Sequence, residues 1–180
     1  MKHRLVETLA VAALLCASLG AGTALAQSTD AAKPAAAAPA PAPPPGGGWA
    51  VRCASTSRQG SPDCAVDESA VMNNTGQLVV AFSVRVPNDT RAPALLVQIP
   101  LGLFLPAQLK LQVDDGQALS YPIQTCDASG CYVGMPLDAG LLAQMKSGQQ
   151  LKTVFQNMQH KDMTISLPLQ GFADAFAKIQ

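Results

Sequence analysis

The residues best suited to chemistry are few. His160 is followed by Lys161 and Asp162, and Ser166 lies four positions further on. A serine, an imidazole and a carboxylate are the parts of a nucleophilic triad, in which the imidazole takes the hydroxyl proton and the carboxylate orients the imidazole. Such a triad also needs a cleft to hold substrate. His-Lys-Asp falls between two stretches of strand pattern, where a hairpin turn belongs, and is read as a solvated turn. Asp114, Asp115 and Asp127 offer hard oxygen ligands for calcium. A calcium loop of the EF-hand kind wants Asp-x-Asp-x-Asp-Gly followed by Glu, and that order is missing. Asp114-Asp115-Gly116 is instead the chemistry of a tight turn. Asn73-Asn74-Thr75 and Asn88-Asp89-Thr90 match the glycosylation acceptor pattern and are read as turns. The expectation is a protein with no catalytic residue, no metal ligand and no cofactor.

The amino terminus carries an address. Lys2 and Arg4 precede an apolar stretch from Thr8 to Leu19, and Ala24-Leu25-Ala26 is a small-x-small site. This is the pattern of a secretory signal peptide over residues 1–26, cut before Gln27. A retained anchor fits less well, because the stretch is rich in Gly, Ala and Ser and ends in Ala-x-Ala. A lipidated Cys16 would want a small residue before it, where Leu15 stands. Export to the periplasm or beyond follows, with no stable membrane insertion after cleavage. Cleavage takes Lys2, Arg4 and Glu7 from totals of 12 basic and 12 acidic residues, leaving 10 and 11. So even a balance excludes a general nucleic-acid binder, which needs clustered excess Lys and Arg.

Residues 27–48 hold six of the fourteen prolines, with alanine and a closing run of glycine. Nothing there is large enough to bury, and the segment is expected to be a disordered spacer of polyproline character. The folded domain is then 49–180, long enough for one core.

Four cysteines follow the signal: Cys53, Cys64, Cys126 and Cys131. In an exported chain they imply two disulfides. Their spacings fit neither a zinc finger nor a C-x-x-C redox site. Three pairings are open. Loop closure favours the local ones, Cys53–Cys64 and Cys126–Cys131, at roughly 3 and 2 kcal/mol by chain entropy.

The elements that must position these residues are mostly strands. Trp49 to Cys53, Cys64 to Asp67, Gln77 to Val86, Ala94 to Ile99 and Gln108 to Val113 alternate or run apolar. Ala118 to Thr125 pairs back across the Asp114 turn. Cys131 to Met135, Gln150 to Met158 and Met163 to Leu169 complete the set. Asp138 caps a helix from Ala139 to Lys146, which Gly148 ends. Phe172 to Ile179 is a second helix, with Phe172, Phe176 and Ile179 on the face that docks. The fold class is all-β: a disulfide-containing β-sandwich with one or two short helices near the C-terminus. A barrel is the alternative.

One pattern spans most of residues 49–180. Trp49-x-Val51-x-Cys53 opens it. Ile99-Pro100-Leu101-Gly102-Leu103-Phe104-Leu105-Pro106 then runs into Leu109-x-Leu111-x-Val113-Asp114-x-Gly116. Tyr121-Pro122, Cys126-x-x-x-Gly130-Cys131 and a Leu-rich helix ending at Gly148 follow, and Ser166-Leu167-Pro168-Leu169-x-Gly171-Phe172-x-x-Ala175 closes it. The order and spacing resemble the invasion-associated locus B family of exported α-proteobacterial proteins. Ala107-Gln108 departs from the glycine that the family often has after Leu-Pro. The resemblance implies a β-sandwich with both local disulfides and a role linked to entry into host cells. It implies no enzymatic activity.

The functional expectation is a non-enzymatic exported interaction protein whose partner is an unknown envelope or host-surface protein. An envelope housekeeping or stress-related binding protein is the alternative, and a hydrolase using His160 ranks third. The most apolar stretch, Leu95 to Leu105, is expected to line the core, with Leu103 and Phe104 as the residues that would reach a partner between Pro100 and Pro106. Nothing in the sequence sets the oligomeric state.

Overall fold

The computed structural model describes residues 48–55 and 62–180. The expected signal peptide and all but the last residue of the expected proline-rich spacer lie outside them.

Two antiparallel sheets face each other. The larger has six strands: β1 (Ala50–Ala54), β2 (Asp63–Val71), β3 (Leu78–Arg85), β4 (Ala94–Ile99), β8 (Gly130–Pro136) and β7 (Thr125–Asp127), in that spatial order. The smaller has four: β10 (Asp162–Pro168), β9 (Gln150–Gln156), β5 (Leu109–Val113) and β6 (Leu119–Tyr121). Alternation decides which side chains face inward. Val80, Phe82 and Val84 of β3 meet Leu95, Val97 and Ile99 of β4 in one layer. Leu109, Leu111 and Val113 of β5 and Leu151 and Phe155 of β9 form the facing layer. This is the sandwich that the alternating segments predict.

Three elements differ from expectation. β2 continues to Val71 because Val66, Glu68 and Ala70 all face inward, paired with Val84, Phe82 and Val80. The polar residue in that apolar row hides half the strand from a periodicity count. The strand expected from Ala118 to Thr125 stops at Tyr121, before Pro122. Thr125–Asp127 then joins the other sheet, against β8. Past the end of β7, the Gln124 side chain takes its place: the amide donates to Gly134 O at 2.7 Å and accepts from Gly134 N at 2.9 Å.

Helix α1 (Ala139–Ser147) starts where Asp138 accepts the Leu141 N–H at 2.9 Å, and it buries Leu141 and Met145. Gly148 closes it with an extended backbone, φ −77°. Space, not a left-handed turn, requires glycine there. A Cβ would run into Val113 Cγ1 and stand 2.8 Å from Gln144 O. Helix α2 (Phe172–Phe176) is only five residues, shorter than the pattern suggests, yet Ile179 beyond it is also buried. Phe172 lies edge-on to Trp49 at 4.8 Å, and the Trp49 indole N–H donates to Pro168 O at 2.9 Å.

Both helices sit at one end of the sandwich, where β5 and β10 finish. Among the described residues, the other end is closed by connections only. The chain leaves β4 at Ile99, crosses to the smaller sheet, and bridges Leu103 to Asn157 before a 3-10 turn at Leu105–Ala107. The β2–β3, β7–β8 and β9–β10 turns share that end.

Candidate functional site

The triad parts are not brought together. Asn157 to Lys161 is a tight turn: Asn157 Oδ1 accepts the N–H groups of Gln159 and Lys161, and His160 takes φ +61°. A side chain in that left-handed region needs compensation. His160 has it in Phe104, whose ring stacks on the imidazole at 4.1 Å. Asp162 accepts from the Gln156 amide instead, at 2.9 Å. Ser166 lies four residues along β10 from Asp162, about 13 Å at strand rise.

The acidic trio is divided as well. Asp114 accepts the backbone N–H groups of Gln149 and Gln150, and Asp115 pairs with Lys152 at 3.0 Å. Asp127, in the other sheet, accepts from Ser129 N and Tyr132 Oη. Among the described residues, no three His, Cys, Asp or Glu side chains gather where they could hold a metal ion. Asn73 to Thr75 and Asn88 to Thr90 form turns.

The cysteines pair locally, Cys53 with Cys64 and Cys126 with Cys131. Each bond joins residues that already face each other across an antiparallel ladder. The first fastens β1 to β2 and the second fastens β7 to β8.

The contact pair read from the sequence is split, and Leu103 needs correcting. It is only 8% exposed and belongs to the core, because its bridge to Asn157 turns it under the connection. Phe104 is half-buried beneath His160. What the same connection presents to solvent is Leu101 and Leu105, 53% and 43% exposed. Met72 from the β2–β3 turn, Met158 from the β9–β10 turn and Met163 at the start of β10 are also exposed. Among the described residues, five of the six exposed large hydrophobics thus sit at the helix-free end; the sixth, Leu96, lies on the outer face of the larger sheet. There it rims a shallow hollow of about 560 Å³ with Arg85, Gln124 and Gly134. Sequence reasoning missed the methionines, which come from two separate hairpins, β2–β3 and β9–β10. Only the topology gathers them.

It also missed Glu68, which is 7% exposed on the inner face of β2. Burial pushes its carboxyl above the ordinary glutamate range, and hydrogen bonds from the Ser69 and Gly48 backbone offset this only in part. Oε2 finds no hydrogen-bond partner among the described residues, and neither does Thr153 Oγ1 on the facing sheet.

Comparison with known proteins gives concordant findings. The family model described as invasion associated locus B (IalB) protein matches residues 49–180. Two invasion protein B homologues of Brucella abortus, from strain 2308 and from biovar 1 strain 9-941, are each 26% identical over 133 residues, 73% of this chain and 75% of theirs. The crystal structure of invasion associated protein B from Bartonella henselae is similar in fold, with a TM-score of 0.64 at 24% identity over 73% of this chain and 90% of that one.

Proposed function

The chain belongs to the invasion associated locus B family, and on that footing we propose that it is a non-enzymatic interaction protein of the bacterial envelope, exported through a cleaved signal peptide and of the type associated with host-cell invasion. The observation that carries this reading is the helix-free end of the sandwich. Leu101, Leu105 and Met158 stand exposed there on connections held by the Leu103–Asn157 bridge and the Phe104–His160 stack. Apolar side chains gathered on a rigid end mark a contact site more than a solvated surface. Methionine suits such a site, because its flexible, polarisable chain fits partners of varied shape. Two disulfides support an oxidising compartment.

The test compares purified mature protein with a Leu101→Glu, Leu105→Glu, Met158→Glu triple variant in binding to isolated envelopes and to host-cell surfaces. All three side chains are exposed, so both proteins should melt at nearly the same temperature. Saturable binding by the wild type, lost in the variant, is the expected result. Equal binding by both would move the contact away from this end. Binding to neither surface would overturn the interaction reading itself.

A further inference from the structure

Among the described residues the sandwich has four edge strands, and three are blunted. β7 and β6 are three residues each, Gln124 fills the ladder site next to β7, and β6 runs into Pro122. β1 carries Arg52 in the middle of its five residues. β10 differs: it is seven residues long, and Met163 to Leu167 holds no charge, glycine or proline. Long, uncharged edges are the ones that pair with another chain.

Two hydrogen bonds fix which backbone groups of β10 point outward. Gln156 O accepts from Phe104 N and Gln150 N donates to Asp114, so both turn away from β10. Their partners Asp162 and Pro168 therefore direct their own backbone groups away from β9. By the period of two, Thr164 and Ser166 do the same. Pro168 loses nothing by lacking an N–H there, and its carbonyl is taken by Trp49. Among the described residues, the donors and acceptors left without a partner are those of Asp162, Thr164 and Ser166.

We propose that β10 is a self-association edge, pairing antiparallel with β10 of a second copy about a two-fold axis at Ile165. In that register Thr164 and Ser166 exchange both backbone hydrogen bonds with their opposite numbers, four in all by symmetry. The two hydroxyls lie side by side on the outer face, a favourable cross-strand pair. On the inner face Ile165 meets Ile165, and Met163, 43% exposed in one copy, is covered by Leu167 of the other. A strand with no charge between Met163 and Leu167 meets itself without repulsion, and a two-fold contact requires that self-complementarity. The chain's own proline-rich spacer is a poor occupant, since its prolines have no N–H to give a ladder. The two joined sheets become one of eight strands. This inference does not depend on the proposed function, because the helix-free connections are not used.

Sedimentation velocity over a wide concentration range tests it, on mature protein with its disulfides intact. Wild type should shift from monomer to dimer. Ser166→Pro removes an outward N–H and leaves the β9 ladder whole, so it should stay monomeric and melt like wild type. Should it fail to fold, the Thr164→Lys, Ser166→Lys double variant sets lysine against lysine across the axis and should also stay monomeric. Ile165→Cys should form a disulfide-linked dimer on oxidation, because directly opposed residues of a non-hydrogen-bonded pair stand about 4.5 Å apart. A wild type that remains monomeric, a dimer undisturbed by either outer-edge variant, or a dimer in which Ile165→Cys does not link to itself would each overturn the proposal.

Discussion

Glu68 is the only charged side chain that the described residues bury. Its carboxyl faces Phe82 across the β2–β3 ladder, with Oε1 accepting the Ser69 N–H and Oε2 without a partner among the described residues. Burial disfavours the ionised form, so the folded state holds the proton more tightly than the unfolded chain does. Stability from this group is then complete at pH below the ordinary glutamate range, where both states are protonated. It is lost as pH rises through the raised folded value, because the folded state must now carry a buried charge. Glu68→Gln keeps the shape and removes the charge. Thermal unfolding of the two proteins should give similar midpoints in acid, with wild type falling below the variant toward neutral pH. A wild type that is the more stable at neutral pH would mean that its carboxylate has a compensating partner. The same residue shows why part of the fold was hard to read. A glutamate in an inward row breaks the apolar alternation that marks a strand, so β2 looked half its length. His160 was read correctly as a turn residue, but its stack on Phe104 joins positions 56 apart in sequence, and no local spacing encodes that.

At the scale of elements, strands and caps are set locally and the crossings are not. β3 and β5 follow from alternation, and α1 from Asp138, because each depends on neighbours within a few residues. β7 does not. Three exposed residues carry no period, and their sheet is chosen by the Cys126–Cys131 pair and by the Gln124 amide beyond them. Helix α2 is the opposite case: too short to persist alone, it is legible because Phe172, Phe176 and Ile179 share a face. Phe172 is fully buried between Trp49 and Phe176, with ring centroids at 4.8 and 5.8 Å. Phe172→Ala should therefore cost about 3–5 kcal/mol, the range for a buried phenylalanine. Chemical denaturation measures this. A midpoint close to wild type would show that the aromatic cluster repacks around the gap and that α2 is not needed to hold the sandwich end.

For the whole molecule, the ordering of its parts bears on where it folds. Each disulfide closes a short loop between strands that already pair, of sequence separation 11 and 5. Restricting the unfolded chain in this way contributes roughly 3 and 2 kcal/mol. Against the 5–15 kcal/mol typical of a domain, about 5 kcal/mol decides how well the sandwich survives. The bonds form only where thiols are oxidised, so the stability of the fold is tied to an oxidising compartment, which the chain would reach by export. Residues 1–26 have the pattern that directs it, with Lys2 and Arg4, the apolar stretch and Ala24-Leu25-Ala26. Two outcomes follow together. The exported protein should begin at Gln27, by amino-terminal sequencing, with all four remaining cysteines oxidised as two bonds. The same chain without residues 1–26, kept in a reducing cytoplasm, should hold four free thiols and unfold at lower denaturant concentration. Its midpoint should return when the thiols are oxidised after purification. A product that keeps residues 1–26 in the membrane would sink the export reading. Equal midpoints for reduced and oxidised protein would show instead that sheet packing alone supports the domain, and that the bonds serve only the edges they tie.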